Sequence, residues 1–64
     1  MVLKVKMFNA NNPKKLISES IYTDVKCVDV TLKSGAKYSE KRLHLNSGGT
    51  VEFKNCRVEI ERID

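Results

Sequence analysis

Tryptophan is absent from this 64-residue chain, proline and histidine each occur once, cysteine occurs twice, and no apolar run exceeds three residues. Each shortage excludes something. A membrane-crossing helix needs about 20 consecutive apolar residues, and none is present. Lys4 and Lys6 interrupt the first apolar residues, so no secretion signal is expected either. The chain is read as a soluble, cytoplasmic protein. In that compartment Cys27 and Cys56, far apart and unclustered, are expected as reduced, half-buried thiols. Export by another route would let them pair. Alanine occurs twice and leucine five times, against seven valines and four isoleucines. Cβ-branched side chains lose freedom in a helix and pack well on a pleated sheet, so a long helix is excluded and strands are favoured.

Length bounds the chain to one domain, residues 1–64. A chain this short buries only about 60% of its unfolded surface, so the core is thin. Small folds are usually completed by a disulfide, a metal, a partner or self-association. Here only the last two are suggested, and a protein partner or a homo-oligomer is expected. The net charge of +4 is unevenly spread. Lys4, Lys6, Lys14 and Lys15 lie in a stretch without acids, and Lys33, Lys37, Lys41 and Arg42 face only Glu40 within residues 33–42. Brought together, the two segments would attract phosphate or an acidic partner. Kept apart, they are solvated strand faces.

The order of residues spells out strands. Val5 and Met7 alternate with Lys4 and Lys6, and Asn9–Pro13 reads as a loop. Residues 14–22 carry two signals. Asn12-Pro13 resembles a helix start, which allows one short helical turn near residues 13–20. Ile17 and Ile21 also share one strand face, with Ser18 and Ser20 on the other, and strand is favoured. Val28, Val30 and Leu32 alternate with Asp29 and Thr31, whereas Val25 and Cys27 have the opposite parity; a bulge near Cys27 reconciles them. Turns are expected at Lys33–Ala36 and Ser47–Gly49, a strand between them from about Lys37 to Leu45, and a hairpin turn or bulge at Asn55-Cys56. The last strand runs from Arg57 to Ile63. This cadence fits an all-β protein of five or six strands, either a small antiparallel barrel or a compact β-sandwich.

Catalytic and metal chemistry find little footing. His44 lies between Leu43 and Leu45 and should face solvent if they face inward. Pairing it with Cys27 or Cys56 as a nucleophile demands a close thiol, an orienting acid and an oxyanion hole, none of them nearby in sequence. The same three residues are singletons, without the close ligand pairs of structural zinc sites. Glu59 and Glu61 alternate with Val58 and Ile60 and read as a wet face. Gly48-Gly49 lacks the Lys-Ser/Thr and helix that make a phosphate loop. No catalytic residue, metal or other cofactor is assigned.

Two binding readings remain. One basic stretch contains an aromatic: Tyr38 would stack a nucleic-acid base while Lys33, Lys37, Lys41 and Arg42, joined by Lys4, Lys6, Lys14 and Lys15, hold phosphates. The other reading starts from sheet edges. Lysines in the first strand would guard an open edge, or the same edge would accept a partner strand. The segment from Ser47-Gly48-Gly49 through Val51-Glu52 to Val58-Glu59-Ile60 resembles the end of the β-domain of the ATP synthase epsilon subunit. The resemblance spans less than half of the chain, is one of hairpin grammar, and transfers no functional residue. Protein binding by a non-enzymatic module (an adaptor, inhibitor or small assembly component, of the kind phages and mobile elements carry) is the favoured expectation. Nucleic-acid binding is the alternative.

Overall fold

Alternation and turn chemistry resolve into six strands: β1 (Leu3–Phe8), β2 (Leu16–Tyr22), β3 (Val25–Thr31), β4 (Glu40–Leu45), β5 (Thr50–Phe53) and β6 (Val58–Arg62). The structure is a computed structural model describing every residue, Met1–Asp64, and contains no helix. The strands form two antiparallel three-stranded sheets, ordered β2-β1-β6 and β3-β4-β5. The fold is therefore all-β. Strands β5 and β6 do not pair, so the barrel is not closed and the sandwich describes the molecule.

The Asn12-Pro13 signal produces a turn rather than a helix. Lys15 N–H donates to the Asn12 carbonyl at 2.9 Å, an i→i+3 bond, and the chain enters β2 at once. Asn9 holds the start of the same loop, because its Oδ1 accepts from the amides of Asn11 (2.8 Å) and Asn12 (3.2 Å). The β4–β5 hairpin closes with Leu45 N–H on the Gly49 carbonyl and Gly48 N–H on the Leu45 carbonyl. Gly48, at φ 95°, takes the left-handed position that this three-residue loop requires. Asn55-Cys56 makes no hairpin. Asn55, at φ 59°, turns the chain out of one sheet and into the other. Residues 37–39 are irregular, so β4 starts at Glu40 rather than near Lys37.

Register decides which side chains meet. Leu3 and Val5 of β1, Val25 of β3, Leu43 of β4, Phe53 of β5 and Val58 of β6 are the six buried residues and form a single core. Tyr22 and Phe53 meet edge-to-face across the sheets with ring centroids 6.4 Å apart. The bulge lies between Val25 and Cys27, as the parity change requires. It returns Val28 to the face of Leu43. Val30 shares that face but is 60% exposed, and Leu32 beyond it is 72% exposed, because β3 outruns the cover of the opposing sheet.

The two layers join at one corner. The Met1 amino nitrogen donates to the Val25 carbonyl at 2.8 Å, and Val25 N–H donates back to Met1 at 3.2 Å. The chain thus runs along β1 as β2, bends at Thr23-Asp24, touches the start of β1 once more and leaves for the second sheet. Such bends make the corners where strands switch layers. The radius of gyration is 11.9 Å, against about 10.7 Å for a closely packed chain of this length. Only β1 and β4 have neighbours on both sides, so four strands are edges. The lysine-bearing strand β1 is central, which corrects the expectation that Lys4 and Lys6 guard an edge. They lie on its outer face instead.

Candidate functional site

The outer face of the β3-β4-β5 sheet is a lattice of compensating charges. Cross-strand register sets Cys27 opposite His44, Asp29 opposite Arg42, and Arg42 opposite Glu52. His44 Nε2 donates to Asp29 Oδ2 at 2.7 Å, Arg42 pairs with Glu52, Lys54 reaches Glu52 at 3.4 Å, and Lys33 reaches Glu40 at 3.3 Å. Glu52 is held below its ordinary carboxylate range, first by the hydrogen bond from Lys54 and then by the charge of Arg42. A shallow dip of about 120 Å³ on this face has no hydrophobic lining residue.

Register supplies an orienting acid that sequence proximity did not reveal: Cys27, His44 and Asp29 share one face. The set still falls short of a nucleophilic site. Cys27 makes no hydrogen bond to the imidazole, and Asp29 is 65% exposed. No group of three or more His, Cys, Asp or Glu side chains is arranged to hold a metal. Cys27 is exposed rather than half-buried, Cys56 is half-buried against the core, and both are free thiols.

The nine residues singled out for nucleic acid do not gather in one place. Lys4 and Lys6 look out from the β2-β1-β6 sheet, and Arg42 looks out from the other. Lys14 and Lys15 lie exposed in the β1–β2 loop. Lys4 pairs with Glu19 at 3.5 Å, so Lys4, Lys33 and Arg42 are each matched by an acid. Lys41 donates to Ser39 Oγ at 3.2 Å. Tyr38 is half-buried with its hydroxyl shielded and without a hydrogen-bond partner, and Lys37 Nζ sits 5.4 Å from the ring centroid.

Strand β2 is different in kind. Every residue from Leu16 to Ile21 is exposed, and only Tyr22 is partly covered. It pairs with β1 alone, so its other side offers unpaired backbone donors and acceptors. Ser18 and Ser20 share the face of Met7 and Val5, toward the core, while Ile21 shares the outer face of Lys4. The register shift at Met7/Phe8 sets Leu16 opposite Phe8. Leu16, Ile17 and Ile21 are 45%, 57% and 50% exposed, an apolar strip along the edge. Glu19 is the only charge in the strand, and Lys4 balances it.

The other edges are better guarded. Strand β6 alternates Glu59 and Glu61 with its apolar residues, β5 has four residues, and β3, bulged as β2 is, carries Lys26 and Asp29. Short or charged edges resist pairing with another chain. No helix is long and apolar enough to cross a membrane. The chain matches no family model, no curated protein and no solved structure.

Proposed function

We propose that the protein is a non-enzymatic interaction module that docks a protein partner, another molecule or a copy of itself, along strand β2. The observation that carries this reading is the exposure of Leu16–Ile21 on an unpaired sheet edge bearing three large apolar side chains. An added strand would gain main-chain hydrogen bonds from the edge and apolar contact from Leu16, Ile17 and Ile21, which is how sheets take up extended segments. The thin core adds support, since six buried residues leave a chain that gains from association.

The test compares the wild-type chain with Ile17→Lys/Ile21→Lys as baits for binding proteins. Both substitutions lie on exposed positions, so the melting curve by circular dichroism should hold. Partners kept by the wild type and lost by the variant support edge docking. Equal retention by both removes it, and so does retention by neither from a chain that also stays monomeric in sedimentation.

Nucleic-acid binding has less support, because acids compensate Lys4, Lys33 and Arg42 and the basic segments look out from different sheets. It requires a labelled oligonucleotide to shift at low salt, and a salt slope that flattens when Lys37, Lys41 and Arg42 become Ala.

A further inference from the structure

Strand β2 has uncompensated charge at its ends as well as an apolar strip along it. Six cations of the chain each pair with an acid: Lys4, Lys33, Arg42, Lys54, Arg57 and Arg62. Of the other six, only Lys14 and Lys15 are adjacent in sequence, and they immediately precede Leu16, where β2 begins. Both are exposed. Their loop is fixed, because Arg57 Nη1 donates to the Pro13 carbonyl at 3.0 Å and Lys15 N–H to the Asn12 carbonyl at 2.9 Å. The far end has the opposite sign. Asp24, just past Tyr22, is exposed and makes no salt bridge. Between the two ends, Glu19 is balanced by Lys4 at 3.5 Å.

The ladder adds a constraint. Met7 faces Ser18 and Phe8 faces Leu16, so Ile17 is the extra residue of a bulge. An added strand can take up hydrogen bonds in regular succession along Ser18–Tyr22, but the bulge breaks that succession before Leu16. Past Ile17 the incoming chain is held by side chains. Those on offer there are Leu16, Ile17 and the two lysines.

From this placement, and resting on the reading of β2 as a docking edge, we infer that the occupant is an extended segment of another protein, apolar where it crosses Ile21 and Ile17 and acidic where it passes Lys14 and Lys15. Carboxylates at that end meet two unpaired ammonium groups. At the other end they would meet Asp24. Opposite charge at one end and like charge at the other fix the direction of the segment and reject its reverse, which is the part electrostatics plays in recognition. The main-chain bonds of an added strand are the same for every sequence, so selection falls to these side chains.

The test selects displayed random peptides of about ten residues, enough at about 3.3 Å each to run from Tyr22 past Lys14, on the full chain. Those that also bind Ile17→Lys/Ile21→Lys are discarded. The expected survivors alternate apolar residues and carry Asp or Glu at one end. In fluorescence titrations of a survivor, Lys14→Ala/Lys15→Ala should weaken binding about three- to tenfold, the loss of two exposed ion pairs. Raising salt from about 50 to about 500 mM should erase that difference by screening. A circular dichroism melt of each variant separates lost binding from lost folding. Survivors without an acidic end, or acidic ones indifferent to Lys14 and Lys15, overturn the acidic occupant and leave edge docking standing. A dimer in sedimentation that Ile17→Lys/Ile21→Lys dissolves overturns it in favour of a second copy. No survivor from a chain that stays monomeric removes edge docking itself, and the inference with it.

Discussion

Tyr38 presents an imbalance that a single atom can correct. Its hydroxyl is shielded from solvent and makes no hydrogen bond. A polar group left in that condition costs about 1–3 kcal/mol. Tyr38→Phe should therefore stabilise the chain by about 1 kcal/mol and raise the melting temperature by about 5 °C. A thermal melt of the two proteins checks this, and a lower midpoint for Tyr38→Phe would show that the hydroxyl has a partner in solution. Glu52 offers a second test. Its carboxyl is held below the ordinary value of 4.5 by Lys54 and Arg42. A carboxylate depressed in the folded state contributes stability that is present above its unfolded value and lost as pH falls through its folded one. Glu52→Gln should thus lower the denaturation midpoint at neutral pH and leave it close to wild type in acid below that range, as urea titrations at the two pH values would show. The Glu52 side chain is 38% exposed and screened by solvent, so the effect should be small. The residue-level chemistry was only partly written in the order of amino acids. That His44 turns outward followed from Leu43 and Leu45 on either side. That it meets Asp29, fifteen positions away, depends on the β3–β4 register and could not be read from spacing.

At the level of strands and loops, Arg57 ties three pieces together. Its guanidinium lies 4.6 Å from the Phe8 ring centroid, donates through Nη1 to the Pro13 carbonyl at 3.0 Å, and pairs through Nη2 with Glu59. It thus anchors the β1–β2 loop to β6. Arg57→Ala should cost about 1–2 kcal/mol from the lost cation–π contact and charged hydrogen bond. Amide exchange should quicken in residues 9–15 before it quickens in β4. Uniform loss of protection, or none, would contradict the anchoring role. Alternation located most elements: Lys4/Val5/Lys6/Met7 in β1, the parity switch that places the bulge near Cys27, and the glycine turn before β5. Alternation left the covered face of β2 undecided. Ile17 and Ile21 share a face with each other and oppose Ser18 and Ser20, but sequence does not state which side another sheet covers, and here the serines face inward. Asn55-Cys56 was equally ambiguous. The same turn chemistry serves a hairpin or a passage between sheets, and the choice depends on where β6 finds its partner.

The whole molecule is governed by how little it encloses. With six buried residues, removal of one large core side chain such as Leu43, which is fully buried, costs about 2–5 kcal/mol, comparable to the entire stability of a chain this size. The same economy leaves four sheet edges, and the fold differentiates them by charge and length until one stands apart. That the molecule is all-β was legible from its Cβ-branched residues and turn spacing. The division of the strands between two layers was not, because it is set by the bend at Thr23-Asp24 and the Met1–Val25 bridge, both long-range features.

Strand β6 lies beside β1, and Ile63 N–H donates to the Val2 carbonyl at 3.0 Å. Val2 and Ile63 are thus side by side, and a peptide link of a few glycines from residue 64 to residue 1 would join the two strands. Cutting the ring anew in the exposed Asn46–Gly48 loop would give a circular permutant with the same two sheets in a different chain order. Its far-ultraviolet spectrum and cooperative melt should match those of the parent. Joining β1 and β6 locally while parting β4 from β5 exchanges one short-range pairing for another, so the permutant should refold at a rate close to that of the parent.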